Sequence, residues 1–222
     1  MTRTELSDGL TERLPQWLVP LAELASSVRA EQLAPRFPHP PDDARPAAVL
    51  ICFADGSQGP EVLLTERAPT LRNHAGQISF PGGASDVEDD DAVATALRET
   101  EEEVGLERAS VDVFGVLPRL WLPPSNFGVT PVLGHWSTPR RLKPRSPDEV
   151  RTVIQQPLRL LTDPARRFTV VHPSGWRGPA FDIGTEMPLW GFTAGVLSRL
   201  LDRVGWAEPW DEDVVRDLPD LT

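Results

Sequence analysis

Apolar residues recur every three or four positions over residues 14–33, where Leu14, Leu18, Leu21, Leu24 and Val28 fall on one side of a helix. Pro35, Pro38, Pro40 and Pro41 follow and read as an extended linker. Beyond them the period shortens. Alternating or continuous apolar runs predict strands at 46–54, 61–67, 111–118, 129–136, 150–156 and 168–172, with Ser57-Gln58-Gly59-Pro60 as the turn between the first two. Helical spacing returns over 91–104, where Val93, Leu97, Thr100 and Val104 share one sector. Asp90 or Asp91 can cap the start of that helix, and Gly105 stands where a left-handed end is expected. A second long helix follows Trp190, with Val196, Leu197, Leu200, Leu201 and Val204 on its core-facing stripe. No internal repeat is present. This order predicts an α+β fold with a mixed β-sheet between helices.

A chain of 222 residues supports one sizeable domain with extensions and hardly two independent cores. The expected division is a helical extension and proline-rich linker over 1–44, the main domain over 45–206, and an acidic tail over 207–222. That tail carries six acidic residues against one arginine and is expected to be flexible or loosely packed. A net charge of −11 argues against nucleic acid as a partner. It also means that an anionic substrate must be met by local arginines and metal ions. The single cysteine, Cys52, excludes an intramolecular disulfide and sits in an apolar run that implies strand packing. No apolar stretch approaches the roughly 20 residues needed to span a bilayer, and the N-terminus lacks the apolar core of a signal peptide. The expected compartment is the cytoplasm. Each of the seven tryptophans reads more readily as a core or edge residue than as a base-stacking platform.

The chemistry concentrates in Arg98-Glu99-Thr100-Glu101-Glu102-Glu103-Val104-Gly105-Leu106. On a helix, Glu99, Glu102 and Glu103 share one sector, because residues three and four apart are neighbours. Clustered carboxylates repel, and an inert surface would intersperse lysines; here only Arg98 interrupts. Ala92, Thr95 and Ala96 occupy the same flank one to two turns earlier, and their smallness is expected to leave room for metal ions and a diphosphate. Phe80-Pro81-Gly82-Gly83 lies just upstream, a glycine pair able to lie against phosphate. The alternative is a solvated acidic face. Converging hard oxygen ligands favour Mg²⁺ or Mn²⁺, and such ions suit phosphate substrates.

At this point the chain resembles the Nudix hydrolases. Their box runs Gly, five residues, Glu, seven residues, Arg-Glu, an aliphatic, any residue, Glu-Glu, any residue, Gly and an aliphatic. Arg98 to Leu106 matches its second half, with Thr100 in the aliphatic position. The first half matches from Gly82 to Glu88, but nine residues then separate Glu88 from Arg98, as a two-residue insertion would produce. The stretch from Leu63 to Gly83 is similar to the extra motif of the coenzyme A pyrophosphatase branch: Leu-Leu-Thr, any, Arg, Ser or Ala, three residues, Arg, three residues, Gly, three residues, Phe-Pro-Gly-Gly. Every fixed position is satisfied, from Leu63-Leu64-Thr65 through Arg67, Ala68, Arg72 and Gly76 to Phe80-Pro81-Gly82-Gly83. Together the motifs span residues 63–106, about a fifth of the chain. Val129-Thr130-Pro131-Val132 and Trp190-Gly191 before Thr193-Ala194 are also similar to that branch.

The resemblance implies the α/β/α Nudix sandwich and a metal-dependent hydrolase acting on the diphosphate of coenzyme A or its thioesters. Glu99, Glu102 and Glu103 are then the metal ligands and Arg98 an organiser of a glutamate or a phosphate contact. A further carboxylate is often needed from a loop opposite the helix. Glu149, just before a strand, is the candidate, and an ordinary turn residue is the equal alternative. Arg67, Arg72, Gly82 and Gly83 are candidate substrate contacts. The two arginines are candidates for the 3′-phosphate that sets coenzyme A apart, and the 121–128 loop is a further source of selectivity. His74 can serve substrate or cap a turn. Other nucleoside diphosphate compounds, such as ADP-ribose or a dinucleoside polyphosphate, remain alternatives, as does a non-catalytic nucleotide sensor on the same fold. Oligomeric state is left open, a homodimer included.

Overall fold

A computed structural model describes residues 14–71 and 75–219. In chain order its elements are α1 (Val19–Ser27), α2 (Ala30–Leu33), β1 (Arg45–Gly56), β2 (Gly59–Arg67), β3 (Ile78–Ser79), β4 (Gly82–Ala84), α3 (Ala92–Val104), β5 (Val111–Val116), β6 (Leu120–Leu122), β7 (Phe127–Trp136), β8 (Val150–Pro157), α4 (Leu158–Thr162), β9 (Arg167–Val171), β10 (Arg177–Phe181), α5 (Gly191–Arg203) and β11 (Val215–Asp217). The main sheet is mixed. β1 runs parallel to β7, in register from Arg45↔Phe127 to Ala54↔Trp136, and antiparallel to β2. β8 lies outside β2 and β5 outside β7. The short β4 and β3 pair with β1 and β2 and carry the chain into α3.

The run Ala47 to Ala54 is apolar throughout because β1 is covered on both faces. Side chains alternate along a strand, so Ala48, Leu50, Cys52 and Ala54 face α3, together with Leu63, Ala96, Val104, Val132 and Trp136. Ile51 and Phe53 face the other way, into a larger core shared with Leu18, Leu21, Val62, Leu64, Leu133, Leu197 and Leu200. α1, α2 and α5 cover that second face. The result is the expected α/β/α sandwich around a mixed sheet. Cys52 is buried as expected, and desolvation pushes its thiol up to about 12. No helix among the described residues is long and apolar enough to cross a membrane.

Three readings of the pattern need correction. The helix expected over 14–33 breaks at Val28, whose backbone is extended. Ser26 and Ser27 turn their hydroxyls back onto the carbonyls of Glu23 and Leu24, which competes with helix continuation, and the break drops Val28 into the core. The C-terminal end is not loosely packed at 215–217, because β11 adds in parallel to β9 in a second sheet with β10. Trp210 also lies over the buried Arg167 guanidinium, 4.9 Å from ring centroid to carbon. Finally, β3, β4, β6, β11 and α4 have no counterpart in the sequence reading, being too short for a period to show, and neither has β10, whose Gly178-Pro179 interrupts any apolar alternation.

Leu21 is fully buried in the larger core although it lies well before β1. Leu21→Ala should therefore lower the unfolding free energy by about 2–5 kcal/mol in a denaturant titration. A loss near zero would mean that the N-terminal helices merely rest on the domain.

Candidate functional site

α3 presents its carboxylates to the strand that precedes it. Asp91 caps the helix through its side chain, accepting from the Ala94 amide at 2.9 Å, and Gly105 ends it at φ 70°. Thr95 and Ala96 are fully buried, so their smallness serves close packing of α3 on β1 and β4 and leaves no ligand space there. That corrects the expectation drawn from their size. A Cβ on Gly82 would strike the Ala48 carbonyl and the Val49 backbone, and one on Gly83 would lie 2.6 Å from the Glu99 carboxylate. Gly82 is thus required by the β1 backbone on which β4 lies, and Gly83 lets the Glu99 carboxylate lie on β4.

Glu103 is only 4% exposed and accepts a hydrogen bond from the Gly82 amide at 3.1 Å. Burial pushes its carboxyl up to about 7, with Glu99 and Glu149 adding repulsion and the Gly82 amide and Arg67 opposing the rise. Glu99 is raised as well, first by desolvation, then by Glu102 and Glu149 against the attraction of Arg98. Glu102 is exposed.

Arg98 uses all five N–H groups inside the protein. Its Nε and Nη2 fork onto Asp89 at 2.9 and 2.8 Å, Nη2 also reaches the Ala84 carbonyl at 3.1 Å, and Nη1 bridges Glu99 at 2.9 Å and Glu102 at 3.2 Å. No N–H remains for phosphate, which is the geometry of an organiser. Arg98's hydrogen bonds hold the Asp89 carboxyl well below the usual carboxylate range. Asp89 was missed by the sequence reading. It stands in the run Glu88-Asp89-Asp90-Asp91, where spacing alone did not single out one acid.

Glu149 arrives by way of the end of α3. The last carbonyls of a helix lack partners within it. Here Glu103 O accepts from the Arg145 and Ser146 amides at 2.8 and 3.4 Å, and the Ser146 hydroxyl donates to Glu102 O at 2.9 Å. The Glu149 and Val150 amides then close a turn onto Ser146 O, and Glu149 O accepts from the Ala68 amide. The loop is therefore fastened to the helix that it faces. Glu149 is exposed, yet close enough for its charge to act on both Glu99 and Glu103.

Arg67 ends β2 at a register shift against β8, between Glu66 and Arg67, of the kind that re-aims a side chain. Its Nε is buried without a hydrogen-bond partner among the described residues. Its neighbour Glu66 is held by Arg151 at 3.1 Å. Arg72 and His74 lie outside the described residues.

Residues 44–166 match the family model for the NUDIX domain. The chain is 39% identical over 184 residues to a Nudix hydrolase named NudL from Shigella flexneri serotype 5b, covering 80% of this chain and 92% of that protein. The Citrobacter koseri NudL is 40% identical over 167 residues, 72% of this chain and 83% of its own. The chain belongs to the Nudix hydrolases. Among solved structures it is similar to the Mycobacterium smegmatis Nudix hydrolase RenU, at 19% identity and a TM-score of 0.47 over 76% of this chain and 91% of that one.

Nudix hydrolases use divalent cations, and the donor set fits one. It consists of carboxylate oxygens, and burial raises the pKa of two of the carboxyls, Glu99 and Glu103. As placed, no three acids, histidines or cysteines among the described residues converge on a single point. Arg98 draws in Glu99 and Glu102, and Glu103 turns to the Gly82 amide.

Glu103's folded value lies above the ordinary 4.5, so the folded state keeps a proton that the unfolded chain gives up. Its contribution is complete below about pH 4.5 and is lost as pH rises through about 7. In metal-free buffer Glu103→Gln should flatten that decline and recover on the order of 2 kcal/mol at pH 8, read by denaturant titrations across pH. Parallel pH profiles for the two proteins would contradict it.

Proposed function

We propose that this Nudix hydrolase cleaves the diphosphate of coenzyme A or its thioesters, giving 4′-phosphopantetheine or its acyl form and adenosine 3′,5′-bisphosphate. The observation that carries this reading is the Leu63–Gly83 stretch, whose Arg67 side chain lies beside Glu103 with a buried, unpartnered Nε. A cation of the glutamate site alone needs no such arginine, whereas a diphosphate between the two does.

Glu99, Glu102 and Glu103 would hold Mg²⁺ or Mn²⁺, which supplies charge neutralisation on the diphosphate and acidifies water. Asp89 and Ala84 anchor Arg98, and Arg98 keeps Glu99 and Glu102 from drifting into solvent. Gly83 admits the Glu99 carboxylate and the Gly82 amide orients Glu103. Arg67, with Arg72 from the same motif, steadies the diphosphate oxygens. Glu149 takes the proton of the attacking water; attack in line on one phosphorus breaks the bridging P–O bond, and the other half leaves as a phosphate monoester. The catalytic unit is the 45–206 region, and the cytoplasm supplies its substrate.

A panel of coenzyme A, dephospho-coenzyme A, ADP-ribose, NADH and diadenosine polyphosphates tests the reading. Coenzyme A or an acyl derivative should show the highest kcat/KM; a decisive preference for ADP-ribose or a dinucleoside polyphosphate would overturn it, and no turnover at all would indicate a sensor. Glu102→Gln and Glu103→Gln should each lower kcat about a hundredfold or more with the fold intact. Glu149→Gln should lower kcat, leave KM within a fewfold, and remove the acid limb of the pH–rate profile that a general base produces. Wild-type turnover and an unchanged profile would return Glu149 to an ordinary turn residue.

A further inference from the structure

In a protein of net charge −11, a groove is lined by no carboxylate among the described residues. It runs between the loop ahead of Ser146 and the outer edge of β8, with a volume of about 540 Å³, and Arg141, Lys143 and Arg151 contribute its charge while Leu142 and Val153 form its floor. Leu142 is buried in the core under α3, and its amide donates to the Gln155 side chain at 3.4 Å. That anchor turns its neighbours Arg141 and Lys143 outward, where both are exposed. Neither has an ion pair or hydrogen bond among the described residues, in contrast to Arg140, held by Glu107 at 3.2 Å, and Arg151, held by Glu66 at 3.1 Å.

The groove is joined to the catalytic helix. The residues just after Lys143 cap the Glu103 carbonyl, and β8 begins one residue after Glu149. At the opposite end a second hollow shares Arg141, Leu142 and Val153 but is closed by Glu61, a buried carboxylate fixed by Gln155 at 2.7 Å. The buried Glu61 therefore disfavours an anion at the far end, although Arg140 also lines it, while Arg141 and Lys143 favour one where they stand. A polyanion cannot lie along the whole groove; a single terminal phosphate fits.

We propose that Arg141 and Lys143 bind the non-scissile phosphate monoester of the substrate, the 3′-phosphate of the adenosine half. The assignment rests on the coenzyme A reading above, and it moves selectivity away from Arg67, which lies at the Glu103 end. A phosphate monoester carries close to two charges at neutral pH, and an uncommitted arginine and lysine match it without first breaking an ion pair.

The test is the double variant Arg141→Gln/Lys143→Gln, both positions lying on the surface and outside the catalytic machinery. KM for coenzyme A should rise about 10- to 100-fold with kcat nearly unchanged, while KM for dephospho-coenzyme A stays constant. Equal changes on the two substrates, or none, would overturn the assignment. A calorimetric arm with adenosine 3′,5′-bisphosphate and AMP keeps the groove testable if the wild type fails to cleave coenzyme A. The double variant should weaken the bisphosphate about tenfold and leave AMP alone; parallel behaviour of the two nucleotides would overturn it. Loss of inorganic phosphate binding alone, with the nucleotides unaffected, would assign the groove to free anions and also overturn the substrate role.

Discussion

Burying a carboxylate is unfavourable unless a cation or well-aimed hydrogen bonds offset the lost hydration, and Glu103 is buried beside two other acids. The features of the site follow from that constraint. Gly82 offers an amide to Glu103, Gly83 makes room for Glu99, and Arg98 gathers Glu99 and Glu102 while Asp89 and Ala84 hold it in place. A single Coulombic partner between two carboxylates would be mobile; a guanidinium with every N–H engaged is not. The remaining excess of negative charge suits a hard cation.

The fold supplies the approach distances. β1 is covered on both faces, so it fixes the level of β4 on one flank and of α3 above it. Thr95 and Ala96 let the helix settle close, which brings Glu99 onto Gly83. The open end of α3 then recruits the loop at 145–146, and this backbone requirement brings Glu149 near the other acids. The geometry of the candidate site is built largely from the satisfaction of main-chain groups.

The long elements were legible in the sequence because each carries a full period. β1 read as a continuous apolar run, and α3 showed acids on one sector and apolar residues on another. The grouping of Glu99, Glu102 and Glu103 in the candidate site was legible from the same sector, since helical spacing alone brings them to one side. What escaped depends on contacts between distant segments. Asp89 became Arg98's partner through a loop path that no period encodes, and β11 was hidden because its pairing with β9 is between backbones while its side chains stay exposed. The glycine pair was noticed for its fit to phosphate; the close approach of the Ala48 carbonyl to Gly82 and of the Glu99 carboxylate to Gly83 was not legible. Size at Thr95 and Ala96 misled: small residues signal close approach, and the sequence does not say of what.

The central claim is that Glu103 holds a proton in place of a cation. Calorimetric titration of Mg²⁺ or Mn²⁺ near its value of about 7, repeated in two buffers of different ionisation enthalpy, measures protons released per cation bound. The account predicts release of a substantial fraction of a proton at that pH, fading about two units above it and absent in Glu103→Gln. Cation binding that releases no proton between about pH 6 and 8, or the same release from Glu103→Gln, would contradict it.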